Sequence, residues 1–255
     1  MVGLAVSRWK ASAIHLIISF LVILSLSALL SVAWYPPSYA WAIGGLGLIT
    51  ILAGVDVFLG PLLTLIVWDV NKPNLRLDMS VIIFIQAIGL SYGLYTIFLA
   101  RPVYQVFAVS QFDLVSAVEI PMGESGKAVY DEFKSLPVSG PKIIAARLPI
   151  DPAERNQILF SSLHGGADLP QLPRYYVPYS EMAAEAARKA KPLEGLLQRD
   201  PATRDKLSSY LSGHDLNPAK VKYLPMHAKA HDQTVLLDAD TGAVLGIVNV
   251  DPWGK

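Results

Sequence analysis

The chain has 255 residues, no cysteine and a formal net charge of zero; 53% of it is hydrophobic, 16% is charged, and its mean hydropathy is +0.40. The lack of cysteine excludes disulfides, thiol catalysis and thiolate metal sites. The balanced charge, with no basic run, gives no support for nucleic-acid binding. Charge is nevertheless unevenly spread, because only four basic and three acidic residues precede Arg101, leaving 17 of 21 basic and 18 of 21 acidic residues beyond it. That contrast divides the chain into a membrane domain, 1–100, and a soluble domain, 101–255.

In chain order, apolar runs at about 13–34, 41–68 and 80–99 each reach the roughly 20 residues a helix needs to cross about 30 Å of hydrocarbon. Three transmembrane helices are therefore expected. The first run could be taken for a signal peptide, since Ser31-Val32-Ala33 has the small-x-small form of a cleavage site. Its apolar stretch is longer than the roughly 7–15 residues of a signal core, so a retained helix is expected. Arg8 and Lys10 precede the first run, no basic residue lies between the first and second, and Lys72 and Arg76 lie between the second and third. The positive-inside rule then places the N-terminus in the cytoplasm and the 101–255 domain outside, in the periplasm of a bacterium.

The second run carries one acid. Asp56 shares a helical stripe with Gly45, Ala53, Gly60 and Thr64, and Pro61 deprives the Val57 carbonyl of its usual donor. Small residues let membrane helices approach closely. An ionised acid there costs about 2.5–3.5 kcal/mol on insertion scales, so it needs a partner or a proton. A hydrogen bond from Gln86, at similar depth, would make Asp56 structural glue. A docking point for another protein's transmembrane helix is the sharper alternative, and ion conduction the third. His15 lies too near the cytoplasmic end to reach it on this reading.

The strings Ser7–Ser19, Trp34–Pro36, Gly54–Trp68, Tyr92–Val109 and Leu172–Ser180 together resemble the TfpX/TfpZ family of type IV pilin accessory proteins. The resemblance covers nearly the whole chain and is most specific in Gly54–Trp68 and in the Ala100-Arg101-Pro102-Val103-Tyr104 exit from the third run. It implies an inner-membrane factor that works beside a particular major pilin and helps it accumulate or assemble. It carries no catalytic residue and no cofactor with it.

In the soluble domain, strands are expected at 102–109, 114–120, 142–148, 220–226, 234–238 and 243–250. Helices are expected at 127–135, after the Asp151 cap, over 180–191, near 193–198, and after the Asp200 cap. The sum is an α+β fold, an antiparallel sheet with helices on one face. The segment 165–180, rich in proline, glycine and tyrosine, reads as a long loop. Its Arg174, Tyr175, Tyr176 and Tyr179 are residue types enriched at binding hot spots, or else rings that pin the loop to the domain. Together with Gly45, Ala53, Asp56 and Gly60 they form the candidate partner-binding set.

Enzyme motifs fail on inspection. His164-Gly165-Gly166 is similar to a lipase oxyanion loop, but no Gly-x-Ser-x-Gly elbow accompanies it. Gly123–Ala128 lacks the spacing of a phosphate loop. His227 and His231 on extended chain stand about 13 Å apart, too far for one metal ion. Asp238–Gly242 lacks the rest of a calcium loop. The reading is a non-catalytic assembly factor with major pilin and the lipid bilayer as partners; the alternative is a membrane enzyme that modifies pilin, for example a glycosyl transferase.

Overall fold

The computed structural model describes residues 7–254. The chain forms two compact units, one of α1 (Arg8–Ala33) with Gly45–Leu99, the other of Trp34–Gly44 with the chain from Ala100 onward.

In the first unit, α1 and α5 (Leu75–Ala100) are 26 residues each and are long and apolar enough to cross a membrane. Little of either helix is buried, and large apolar side chains such as Phe20, Leu29, Phe84 and Ile85 point outward. A helix apolar on all sides is suited to lipid rather than water. The second apolar run is not one regular helix. Its first residues end α2 (Pro37–Ile43), which belongs to the second unit and stops at Gly44 in the left-handed conformation; α3 (Gly45–Gly54), a π-helical turn (Val55–Leu59) and α4 (Gly60–Val67) follow in the first unit. Pro61 accounts for the π turn. With no N–H at residue 61, the next donor for the Val57 carbonyl is Leu62, five residues on, which is π spacing. The extra residue rotates everything after it, so the ideal stripe from Gly45 to Thr64 does not keep its phase.

In the second unit, β1 (Pro102–Ala108), β2 (Gln111–Ser116), β3 (Lys142–Ala146), β4 (Tyr176–Pro178), β5 (Lys191–Pro192), β6 (Val221–His227), β7 (Gln233–Asp238) and β8 (Val244–Val248) form one sheet among the described residues. Their order is β4-β3-β1-β2-β6-β7-β8, with β5 beside β6. The expected all-antiparallel sheet is corrected to a mixed one, because β1 pairs β3 and β2 pairs β6 in parallel. Helices on one face is also corrected. Alternate strand residues point into different cores, Val106 and Ile144 toward α6 (Pro152–Leu163) and Phe107 and Ala145 toward α7 (Ala183–Lys189). Leu236 and Val221 meet α8 (Glu194–Leu197) and α9 (Pro201–Gly213). Every residue of β1 is buried, as a strand covered on both sides requires.

Two expected elements differ locally. The helix at 127–135 is two 3₁₀ turns, Ser125–Lys127 and Asp131–Phe133, each flanked by an ion pair three residues apart: Glu124–Lys127 at 2.6 Å and Asp131–Lys134 at 2.5 Å. The second strand stops at Ser116, which opens a capping box with Glu119 whose carboxylate accepts from the Ser116 N–H at 2.7 Å. The caps at Asp151 and Asp200 form as expected, accepting from the N–H groups of Ala153 and Thr203.

The segment Trp34–Gly44, which composition assigns to the membrane part, is built into the second unit. Tyr39 donates its hydroxyl to Gln105 Oε1 at 2.8 Å, and Gln233 Nε2 donates to the Ser38 carbonyl at 2.9 Å. The Ala42 carbonyl accepts from the N–H groups of Ala230 and His231, and Ala42 itself is fully buried. Gln105 and Gln233 are both completely buried, so each bond satisfies a group that could not reach water. Tyr39→Phe leaves Gln105 Oε1 without its donor and is expected to cost about 1–3 kcal/mol. Thermal unfolding of the second unit, followed by near-ultraviolet circular dichroism, should show a midpoint lowered by about 2–4 °C per kcal/mol.

Candidate functional site

The polar residues of the first unit converge where the π turn lies against α1 and α5. His15 Nδ1 and Thr64 Oγ1 are 2.6 Å apart, and Ser12 Oγ donates to the Pro61 carbonyl at 2.9 Å. Gln86 Nε2 donates to the Asp56 backbone carbonyl at 3.4 Å, not to its carboxylate as expected. The π turn explains the exchange, since it frees backbone carbonyls for side-chain donors. Asp56 is 7% exposed, and its Oδ2 is buried with no hydrogen-bond partner among the described residues.

His15, expected to lie too shallow to reach Asp56, meets Thr64 instead and is a member of this cluster. Its ring and the Gln86 amide cross directly over Gly60, where a Cβ would overlap both. Gly60 is therefore required by close approach. Gly45 is buried at the start of α3, and Ala53 is half-buried beside the turn. A groove of about 480 Å³ runs between α1, α4 and α5, walled mainly by apolar side chains, with Asp56, His15, Thr64 and Gln86 as its polar members. A buried acceptor without a donor among the described residues, in the lining of an apolar groove, can accept from an incoming donor.

The tyrosine segment of the second unit is not a free loop. Tyr176 is 1% exposed, lies in β4, donates to the Pro170 carbonyl at 2.5 Å and packs edge-on against Tyr104 and Phe133. Tyr179 donates to the Gly242 carbonyl at 2.5 Å, Tyr175 donates to Glu154 Oε1 at 2.6 Å, and Arg174 makes a two-pronged bond to Glu124. The Arg174 hydrogen bonds hold the Glu124 carboxyl below its usual range. Tyr176 is thus removed from the partner-binding set, and the other three are engaged within the domain. Tyr175 and Tyr176 pack on the α6 core and Tyr179 on the α7 core, each with its hydroxyl tip hydrogen-bonded. Sequence order brings the four residues together; only the fold shows that Tyr176 is buried and that the other three, partly exposed, are bonded within the domain.

The motifs set aside as enzymatic take structural parts. Asp238 Oδ1 accepts from the backbone of Asp240 and Thr241 and from the Thr241 hydroxyl, closing the turn to β8. His231 stacks on Trp41, and His164 Nδ1 lies 2.7 Å from the Phe160 carbonyl. Sequence reasoning missed the pairing of Asp113 on β2 with His227 on β6. Both line a cleft of about 500 Å³ with Asp168 and Lys229. Burial pushes the Asp113 carboxyl up to about 6, opposed by the Gln111 hydrogen bond and the charge of His227, and aided by Asp168 and Asp232.

Two bilayer-length apolar helices beside a mixed α+β domain suggest a membrane-associated protein. Two proteins of Dichelobacter nodosus place it more closely. The fimbrial assembly protein of serogroup E1 is 33% identical over 236 residues, and that of serogroup I is 32% identical over 236; each alignment covers 90% of both chains. The fimbrial assembly protein of serogroups C1 and C2 is 39% identical over 124 residues, 47% of this chain and 92% of the relative. The chain belongs to this family of fimbrial assembly proteins, in keeping with a type IV pilus accessory protein, and its role lies in pilus biogenesis. No family model matches the sequence, and no solved structure matches it.

Because the folded Asp113 value lies above the unfolded value of about 3.9, the native state holds its proton more tightly. That contribution to stability is complete below about pH 4 and is lost as pH rises through about 6. Asp113→Asn should therefore stabilise the second unit at pH 7 by about 1–2 kcal/mol and leave it unchanged near pH 4, as read from denaturant unfolding at the two pH values.

Proposed function

We propose that the chain is a non-catalytic accessory factor of the bacterial inner membrane, threading the bilayer three times and holding its cognate major pilin by that protein's apolar helix. Asp56 is the observation that carries this reading. A membrane segment tolerates a buried carboxylate poorly, and an orphaned one invites a donor from outside the chain. The groove beside it is apolar and lies between helices, as a bound helix requires.

The threading is supported by connectivity. Trp34–Gly44 and the chain beyond Ala100 belong to one compact unit, so they must share one side of the membrane. Between them the chain must cross an even number of times. If α5 crosses once, Gly45–Val67 must cross as well, and its 23 residues span about 35 Å. The basic residues at 8, 10, 72 and 76 support the periplasm as the shared side. A helix contact in the membrane and any contact to the pilin head in the periplasm would reinforce each other, because the second is made within an existing complex.

Photo-reactive residues at positions 22 and 83, both on the groove wall, should capture the pilin in intact membranes. Asp56→Leu should weaken that capture about 3- to 20-fold, the range of one interhelical hydrogen bond, with the protein's own level unchanged; Asp56→Asn, which keeps an acceptor, should retain most of it. Full capture by Asp56→Leu would contradict the proposed role of the carboxylate.

A further inference from the structure

The second unit holds another cleft, of about 610 Å³, between the N-terminal end of α9, the chain after β8 and the Trp34–Gly44 segment. Two indoles border it. Trp41 is 41% exposed and Trp253 is 42% exposed. Trp41 has one face covered by His231, with ring centroids 4.5 Å apart and planes 15° from parallel, and the ring forms part of the cleft lining. Large aromatic rings half-open to solvent around one cavity are uncommon in a water-facing domain and mark contact sites.

The cleft is polar between the rings, and its polar groups are held in place. Trp253 Nε1 donates to Asp232 Oδ2 at 2.8 Å, while Asp232 Oδ1 accepts from the Ala228 N–H at 3.0 Å. Arg199 donates to the Asp251 carbonyl at 2.6 Å and to Thr203 Oγ1 at 3.1 Å. Lys206 reaches the Asn249 carbonyl at 3.4 Å. Charge nearly cancels, with Arg199 and Lys206 against Asp200, Asp232 and Asp251. Three carboxylates disfavour a phosphate or other strong anion, and two fixed cations disfavour a polyamine.

We propose that this cleft binds a neutral glycan. A pyranose ring presents a flat face of C–H groups for an indole and a rim of hydroxyls that both donate and accept. Those hydroxyls match a lining that offers carboxylate and carbonyl acceptors beside guanidinium and ammonium donors. Preorganised partners lower the ordering cost that limits sugar binding. The site is independent of the Asp56 groove and does not rest on pilin binding.

The test uses the full chain in nanodiscs, free of sugar-headed detergent, with its five tryptophans labelled with ¹⁹F and assigned by substitution. Cellotetraose, maltotetraose and chitotetraose are the probes. At least one should shift the Trp41 and Trp253 resonances saturably and leave those of Trp9 and Trp68 unmoved. Trp253→Ala should weaken that binding about tenfold or more, and Lys206→Ala, which spares the aromatic lining, should weaken it several-fold. No shift with any of the three sugars overturns the proposal. So does unchanged sugar affinity in both variants, or a response to a phosphate ester with none to sugar.

Discussion

The structure depends on the way Trp34–Gly44 is fastened to the domain that begins near Ala100. Tyr39 to Gln105, Gln233 to Ser38, and the Ala42 carbonyl to two backbone N–H groups join residues as much as 195 positions apart. Each bond involves a buried side chain or backbone group that would otherwise be unsatisfied. The connection between two apolar segments is thereby held by a folded domain instead of hanging as a solvent loop. On the proposed threading, this contact makes the membrane path a closed problem, because both ends of the Gly45–Leu99 excursion return to the same place.

Within that excursion, a backbone irregularity and a buried acid occur together. Proline removes a donor, the helix answers with a π turn, and the Gln86 amide bonds the Asp56 carbonyl while the carboxylate oxygen Oδ2 has no partner among the described residues. Gly60 permits His15 and Gln86 to meet over the same turn. A side chain at that position would push the two groups apart and loosen the packing of the three helices. The unit thus combines a closely packed polar knot with one acceptor left open among the described residues, and on the proposed function the groove beside it receives the partner's helix.

Much of this was legible in the sequence, and the failures have physical causes. The apolar runs, both aspartate caps and the strands at β1, β3, β6 and β7 follow from composition, periodicity and capping chemistry, which are local. The mixed sheet was not legible, because β1–β3 and β2–β6 join strands separated by long stretches of chain. Covered strands read the same whether helices lie on one face or two. Tyr176 looked like a contact residue since aromatic loops serve interfaces and cores alike, and only burial tells them apart. His15 was weighed only against Asp56; its ring meets Thr64 where Gly60 leaves room, a pairing between two separate runs that local pattern does not carry. The placement of Gln86 beside Asp56 was readable; its bond to the backbone carbonyl was not, since an ideal-helix reading does not carry the π turn that frees that carbonyl.

The most direct test of the central claim exploits the absence of cysteine, which makes single cysteine substitutions unambiguous. In intact cells, a membrane-impermeant maleimide should label Asp240→Cys and leave Asn71→Cys unlabelled until the membrane is permeabilised. Labelling of Asn71→Cys with Asp240→Cys shielded would contradict the account, because the domain that fastens Trp34–Gly44 would then lie on the cytoplasmic side.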